Sequence, residues 1–474
     1  MRLPPRALGP LYVLACAAPL VLAVTRSAAP AATWEIAAAA LGMVGLAAMA
    51  VQAVTSGRFE LVSGRIGIDR VMSFHKIAAW WVLLALLLHP LIYVLPTWLA
   101  DPGLAWERLR AYLTLPHYRS GVIALAALAV LVPASALRER LPLRYELWRG
   151  AHVALSVLAL GAGLHHAITV GRFGMVGGMP LLWWGVGAAV VAVLAVLYGW
   201  RWAQLHRGAW RLASVTRHPG RMWELDIQPA PGTPELAYTA GQFVWMTEGA
   251  RRFPLFDHPF SIAGSPARPG LRLIVKQAGD FTDRIGSLPP GTPIGIDGPY
   301  GDFTLEAHPA DAVLLIAGGV GIAPIMGLLR DLVARGDRRP VRLAYAAGDP
   351  AKFACLPEIE AARATLDLEV LLVSEQDAAG WPGEVGRLDH GRLAQLAQGL
   401  EPARVVALIC GPGAMVTAVS DGLLALGLPM ERVIYERFDY AGGTSRIDRR
   451  RRRRVMGLGG AVALVIALFV AVMA

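Results

Sequence analysis

The stretch Ser73-Phe74-His75-Lys76-Ile77-Ala78-Ala79-Trp80-Trp81-Val82-Leu83-Leu84-Ala85-Leu86-Leu87-Leu88-His89 is apolar, approaches membrane length, and carries a histidine near each end. An ionisable side chain in hydrocarbon is costly enough to signal function, and a neutral imidazole is a good ligand for iron. His75 and His89 stand 14 residues apart, about 21 Å of helical rise with only ~40° of angular drift. One helix can therefore present a ligand near each side of a bilayer. A second apolar stretch repeats the arrangement with His152 and the adjacent pair His165 and His166. Two such helices side by side hold two iron porphyrins, each between two imidazoles. Packed or hydrogen-bonded helix histidines would explain any one of them alone. Two pairs at nearly matching spacing on alternate spans favour ligation.

The surrounding chain has 474 residues, 55% of them hydrophobic and 17% charged. That is too apolar for an ordinary soluble protein, and the excess lies at the two ends. A net charge of +10 is explained by arginines beside apolar spans rather than by nucleic acid, for which no motif is present. Cys16, Cys355 and Cys410 form no CxxC or CxxxxC pattern, which argues against an iron–sulfur cluster, a zinc ribbon and a disulfide framework.

Apolar runs near 8–25, 32–54, 72–96, 120–137, 150–170, 180–200 and 455–474 each approach the ~20 residues of a spanning helix. Arg58, Arg65, Arg70 and Lys76 precede or enter the third span, and Arg138, Arg140, Arg144 and Arg149 join the fourth to the fifth. Arg201 and Arg207 follow the sixth, whereas the opposite loops hold Arg26, Arg108, Arg110, Arg119 and Arg172. The bias puts the N-terminus and everything after the sixth span in the cytoplasm. His75 and His152 then lie at the inner level, with His89 and its partner at the outer level. Arg2 and Arg6 ahead of an apolar stretch also fit a cleaved signal peptide, an alternative that leaves the later spans unchanged.

Beyond about residue 208 the pattern turns to short alternating segments, such as Gln242–Trp245 and Leu271–Lys276, which read as a small antiparallel β-barrel. From about 311, apolar strands at Ala312–Ile316, Val341–Tyr345, Leu368–Val373 and Val405–Ile409 alternate with helical stretches, the pattern of a parallel doubly wound sheet. Gly318-Gly319-Val320-Gly321-Ile322-Ala323-Pro324 follows the first of these strands and opens a helix, a place where backbone N–H groups attract a pyrophosphate. Six arginines, Arg449–Arg454, precede the last span and read as a stop signal. His206, His218, His308 and His390 read as surface residues.

Taken in order, the histidine block, Tyr145-Glu146-Leu147-Trp148, His258-Pro259-Phe260-Ser261-Ile262, the Gly318–Pro324 loop and Cys410-Gly411-Pro412 resemble the ferric reductase and NADPH oxidase superfamily, bacterial type. The likeness covers about residues 30–440. It implies a multidomain membrane protein whose six-helix all-α bundle binds haem. An antiparallel β-barrel FAD domain and an α/β doubly wound NAD(P)-binding domain follow, with an extra C-terminal transmembrane helix. The expected boundaries are 1–206, 207–306, 307–440, a basic linker at 441–454, and 455–474.

By that resemblance the metal ligands are His75, His89, His152 and His165; helical geometry alone favours His166, because His165 is rotated by about 140° from His152. A local helical bulge near Gly161 and Gly163 would reconcile His165. His258, Pro259, Phe260 and Ser261 would lie along the flavin. Lys276 and the turn Gly279-Asp280-Phe281-Thr282 would sit at its phosphates, with Thr282 donating a hydrogen bond. Gly318, Gly319, Gly321 and Pro324 would take the nicotinamide dinucleotide, whose nicotinamide faces Cys410, Gly411 and Pro412. Glu436 and Phe438 belong to a terminal E-x-F element whose ring shields the flavin, although in relatives the chain stops near that point and here it continues. Gly348 stands where NADPH-preferring relatives often carry arginine, which inclines the reading to NADH, with Lys352 as the alternative partner for a 2′-phosphate.

The implied activity is transmembrane electron transfer from cytoplasmic NAD(P)H through FAD and two b-type haems to an extracytoplasmic acceptor, at a bacterial inner membrane. Ferric chelate is the first choice of acceptor, dioxygen the second, and a quinone or a periplasmic or membrane haem partner the third. A haem-binding membrane scaffold is the non-enzymatic alternative.

Overall fold

The computed structural model describes residues 7–25, 31–56, 67–175, 177–249, 253–438 and 443–474. Arg2, Arg6, Arg26, Arg58 and Arg65, used above for orientation, lie outside them. The chain divides into two compact units, one built mainly from residues 70–199 with both chain ends, the other from 200–451.

The first unit is helical: α1 (Leu8–Thr25), α2 (Thr33–Val51), α3 (Ile68–Ala100), α4 (Pro102–Thr114), α5 (Arg119–Ala136), α6 (Tyr145–Thr169) and α7 (Met179–Leu194). Seven helices of the described residues are long and apolar enough to cross a membrane, the seventh being Arg446–Met473 near the C-terminus. The packed interior is dominated by small residues and Leu, including Ala39, Ala40, Leu46, Ala47, Leu83, Leu128 and Ala159. The outer surface carries large apolar groups, with Leu99 79% and Leu181 77% exposed, the inverse of a soluble helix bundle and suited to lipid. Pro90 and Pro96 lie inside α3, a placement that membrane helices tolerate. The loop expected around Arg108 and Arg110 is instead a helix. Asp101 caps α4 by accepting from the N–H groups of Gly103 and Leu104, and Pro102 occupies its first turn. Beyond α7 the helix loosens into a π-helical turn, Ala195–Trp200, and continues as α8 (Arg201–Arg207).

The second unit holds two six-stranded sheets. The antiparallel one runs β4-β3-β6-β1-β2-β5, from β1 (Trp210–His218), β2 (Met222–Pro229), β3 (Phe243–Glu248), β4 (His258–Ser261), β5 (Leu271–Lys276) and β6 (Pro293–Tyr300). A bridge from Ile262 to Leu273 links its two edges. Leu212, Leu225, Ile227, Met246 and Leu273 form its core.

The parallel sheet runs β10-β9-β8-β7-β11-β12. Its strands are β7 (Ala312–Gly318), β8 (Val341–Ala347), β9 (Leu368–Ser374), β10 (Glu384–Val385), β11 (Val405–Gly411) and β12 (Val433–Arg437). Every residue of β7 and β11 is buried, as expected of strands covered on both faces. Val313 and Leu315 pack toward one face, Leu314 and Ile316 toward the other. The helices α9 (Ile322–Arg335), α10 (Leu356–Ala362), α11 (His390–Leu396) and α12 (Gly413–Ala425) alternate with the strands, and α13 (Arg446–Met473) follows β12. The chain leaves β7 toward β8 and β9 but returns to β11 on the other side, so the direction of winding reverses between β7 and β11. Ligands of open α/β sheets bind at such a reversal, beyond the carboxyl ends of the strands.

Candidate functional site

Helices α3 and α6 bring four histidines together in two pairs. The ring centres of His75 and His152 lie 6.3 Å apart with the planes at 42°. Those of His89 and His166 lie 6.5 Å apart, nearly perpendicular at 85°. A metal held between two imidazoles needs roughly 2 Å of bond on each side plus about 1.1 Å from each nitrogen to its ring centre, so both gaps fit one iron. The expected His165 is not in this pair; it is exposed, and His166 faces His89. The reason is the uninterrupted α-helical course of α6 across this region, which returns the same face after 14 residues and contains no bulge at Gly161 or Gly163.

The outward nitrogens show how the rings are aimed. His89 Nδ1 donates to the Ala38 carbonyl at 2.7 Å, which leaves its Nε2 lone pair for a metal. His152 Nδ1 is hydrogen-bonded to Ser135 Oγ at 2.9 Å. His166 Nδ1 is buried and has no hydrogen-bond partner among the described residues. Glycine makes room beside the second pair: a Cβ at Gly42 would come within 2.8 Å of the His89 ring, and one at Gly121 within 2.8 Å of His166 Nδ1. The Tyr145–Trp148 motif frames the His75–His152 pair. Arg138 lies 4.8 Å from the ring centres of both Tyr145 and Trp148, and Trp148 is 5.4 Å from His152.

In the second unit, the parallel register assembles a cleft at the winding reversal. Cys410 pairs with Ala317 on one side and Glu436 on the other, and Gly411 pairs with Arg437. The loop Gly318–Gly321, the turn Cys410–Pro412 and the end of β12 therefore share one sheet edge. Three glycines pack closely there, and Gly321 has no room for a side chain. A Cβ at Gly321 would lie 2.0 Å from the Cys410 carbonyl oxygen, one at Gly318 2.6 Å from Met415 Sδ, and one at Gly411 3.0 Å from Gly318 Cα. Gly319 has φ +54°, a left-handed conformation natural to glycine. Pro324 lies in the first turn of α9, whose N–H groups open onto this edge. Cys410 is wholly buried, whereas Phe438 is 45% exposed. Beyond β8, Asp349 accepts from Ala351 N–H and caps a short turn, with Lys352 Nζ 4.0 Å from its carboxylate.

The antiparallel sheet brings its two motifs together. His258 stacks on Phe281 at 4.1 Å and 14°, and Phe260 lies 6.1 Å from the same ring, so the fold brings HPFS to GDFT although their starts, His258 and Gly279, stand 21 residues apart. Ser261 is buried. Lys276 ends β5 and is exposed. Gly279 has φ +150°. The Thr282 hydroxyl, expected to donate outward, donates instead to the Gly279 carbonyl at 3.1 Å and accepts from Ala278 N–H at 2.8 Å. It closes its own turn. A Cβ at Gly301 would approach Phe243 at 3.1 Å and Glu436 Oε1 at 3.8 Å, which places Glu436 beside this sheet as well as in the cleft.

Two buried polar groups had no signature in the sequence. Arg201 and Asp297 form an ion pair at 3.4 Å, and Tyr300 OH donates to the same carboxylate at 2.6 Å. His218, read above as a surface residue, is half-buried: its Nε2 lies 2.9 Å from Glu224, and its Nδ1 4.0 Å from Cys355 Sγ. The Cys355 contact, then the Glu224 hydrogen bond, raise the His218 pKa to about 10. Burial pushes the Glu224 carboxyl up, but His218 and Arg330, the latter at 2.8 Å, hold it down to about 2. Glu224 faces His218 across the β1–β2 hairpin, whereas Cys355, Arg330 and Arg201 reach their partners from elements far away in the chain, so no local pattern announces those contacts.

Residues 41–163 match the family described as ferric reductase like transmembrane component, and residues 315–421 match the oxidoreductase NAD-binding domain. The chain is 32% identical over 187 residues to the reductase component of propane 2-monooxygenase from Mycolicibacterium goodii, covering 38% of this chain and 53% of that one. It is 30% identical over 166 residues to a flavohemoprotein of Bordetella pertussis, covering 32% and 40%. The chain thus spans about half the length of the curated relatives it matches. Among solved structures, a flavohemoglobin from Malassezia yamatoensis aligns with 86% of this chain and 98% of its own at a TM-score of 0.46 and 19% identity. The chain thus carries, in one polypeptide, a segment that matches a ferric reductase like transmembrane component and a segment that matches an oxidoreductase NAD-binding domain.

Proposed function

We propose that this protein is an NAD(P)H-dependent oxidoreductase of the cell membrane that moves electrons from a cytoplasmic nicotinamide through FAD and two haems to an acceptor on the far side. The observation that carries the reading is the double imidazole pair across α3 and α6, with gaps of 6.3 and 6.5 Å. When bound, FAD splits a two-electron hydride into single electrons, and each haem accepts one at a time.

The residues divide the work. Gly318, Gly319, Gly321 and the N-terminus of α9 receive the pyrophosphate of the dinucleotide. Cys410, Gly411 and Pro412 bound the nicotinamide, and the buried thiol serves as a contact wall. His258, Pro259, Phe260 and Ser261 line the flavin, Gly279 leaves its backbone open to the phosphates, and Lys276 adds a positive charge. Phe438 covers the flavin until nicotinamide arrives. His75 and His152 hold the inner haem, while His89 and His166 hold the outer one. Hydrogen bonds at His89 Nδ1 and His152 Nδ1 fix those rings and raise their basicity as ligands. Asp349, its carboxylate near the start of the turn after β8, disfavours a 2′-phosphate and so supports NADH over NADPH. Ferric chelate is the proposed acceptor, with dioxygen as the competing one.

The test is NADH-driven reduction of an impermeant ferric chelate by the protein in sealed proteoliposomes, beside reduction of oxygen. His89→Leu should abolish chelate reduction and leave flavin reduction by NADH intact. Haem bands that stay oxidised while the wild-type flavin reduces would leave only a haem scaffold with a separate flavin reductase.

A further inference from the structure

The C-terminal helix α13 is a departure from the resemblance, and its first turn is built into the nucleotide module. Ile447 is 3% exposed and packs into the core of the parallel sheet. Asp448 is the centre of a buried polar cluster. One carboxylate oxygen accepts from Arg437 Nη2 at 2.7 Å, from Ser445 Oγ at 2.6 Å and from Ser445 N–H at 3.1 Å. The other accepts from Tyr435 OH at 2.7 Å. The side chains of Arg437 and Asp448 are only 7% and 13% exposed. The guanidinium groups of Arg437 and Arg451 lie 4.9 and 4.7 Å from the Tyr435 ring centre, and Arg451 also donates to the Tyr435 hydroxyl at 2.7 Å.

Part of this is ordinary helix capping. Ser445 and Asp448 exchange hydrogen bonds, with Asp448 N–H donating to Ser445 Oγ at 3.1 Å, the reciprocal box of a helix start. A capping box needs neither Arg437 nor Tyr435. Those two residues belong to β12, and they flank Glu436 in the strand that ends at the cleft beside Cys410 and Gly411. Phe438 follows Arg437 directly.

We infer that Asp448 is a positioning residue for the nicotinamide cleft: through Arg437 and Tyr435 it holds the end of β12, and with it Glu436 and Phe438, in register for dinucleotide binding. This rests on the cleft reading above. The first turn of α13 and the substrate cleft are then one mechanical element, and weakening their joint loosens the cleft without touching any group that meets the nucleotide.

The experiment uses the full-length holoprotein in detergent and follows flavin reduction by stopped flow as NADH is varied. Asp448→Asn should raise the NADH concentration for half-maximal rate about tenfold, the size of losing a buried charge-assisted hydrogen bond, with little change in limiting rate, haem content or flavin content. Tyr435→Phe should shift it in the same direction by less. Ser445→Ala, which removes the capping hydroxyl but keeps the Arg437 pair, should match wild type. The inference fails if Asp448→Asn binds NADH like wild type, or if Ser445→Ala shifts it equally, which is the mark of a cap alone. Should Asp448→Asn lose its flavin, Tyr435→Phe decides: no shift overturns the proposal. Wild-type flavin that NADH does not reduce overturns the cleft reading and this inference together.

Discussion

The two units build their sites by opposite means. In the helical unit, four paired histidines come from two segments, and the repeat of the α-helix alone decides which side chains face each other. In the nucleotide unit, the cleft draws on Gly318–Gly321, Cys410–Pro412 and Glu436–Phe438, which meet because parallel strands in register carry their ends to one edge. The first kind of site is intolerant of a one-residue error in helical register. The second is intolerant of volume, because backbones touch where side chains would ordinarily separate them.

The contrast can be broken most sharply at the adjacent histidines of α6. His166→Leu should remove one of the two haems and stop delivery of electrons to an outside acceptor, whereas His165→Leu should retain both; haem counted per chain by its reduced pyridine spectrum distinguishes them. Equal loss in both variants would return the ligand to ambiguity. A smaller effect is expected from Gly321→Ala. Its new methyl group meets a backbone carbonyl at 2.0 Å, and displacing the loop by such a distance should slow flavin reduction by NADH about a hundredfold while haem content stays constant. A rate near that of wild type would show that the loop gives way easily.

The smallest effect concerns pH. The folded-state pKa of His218 is raised to about 10, so the stability it adds is complete below its unfolded value of about 6.5 and fades as pH rises through 10. Glu224 has the reverse sign, lowered to about 2, and its contribution is present above about 4.5 and lost only in strong acid. The gap in unfolding temperature between wild type and His218→Asn should therefore be widest near pH 6 and close by pH 10.5. A gap constant across that range would mean that His218 contributes packing and no charge.

The same division explains what could be read from the residues alone. Helical spacing announced the imidazole pairs, and the strands Ala312–Ile316 and Val405–Ile409 announced themselves by continuous apolar runs. The choice between His165 and His166 turned on whether α6 bulges, which one side chain cannot reveal. Thr282 was legible as part of a turn, but not that its hydroxyl closes that turn. The partners His218 with Cys355, Arg201 with Asp297, and Arg437 with Asp448 lie 137, 96 and 11 residues apart. Their contacts depend on the finished fold, and burial of a charge shows only once its counter-charge is beside it.

The angles between paired rings have a further consequence. One couple crosses obliquely at 42° and the other at 85°, so if each pair holds an iron, as proposed, the two irons would meet differently oriented imidazoles. Two centres of identical composition in one polypeptide would then give separate low-temperature paramagnetic resonance lines, and the occupancy of each could be followed individually in a single frozen sample.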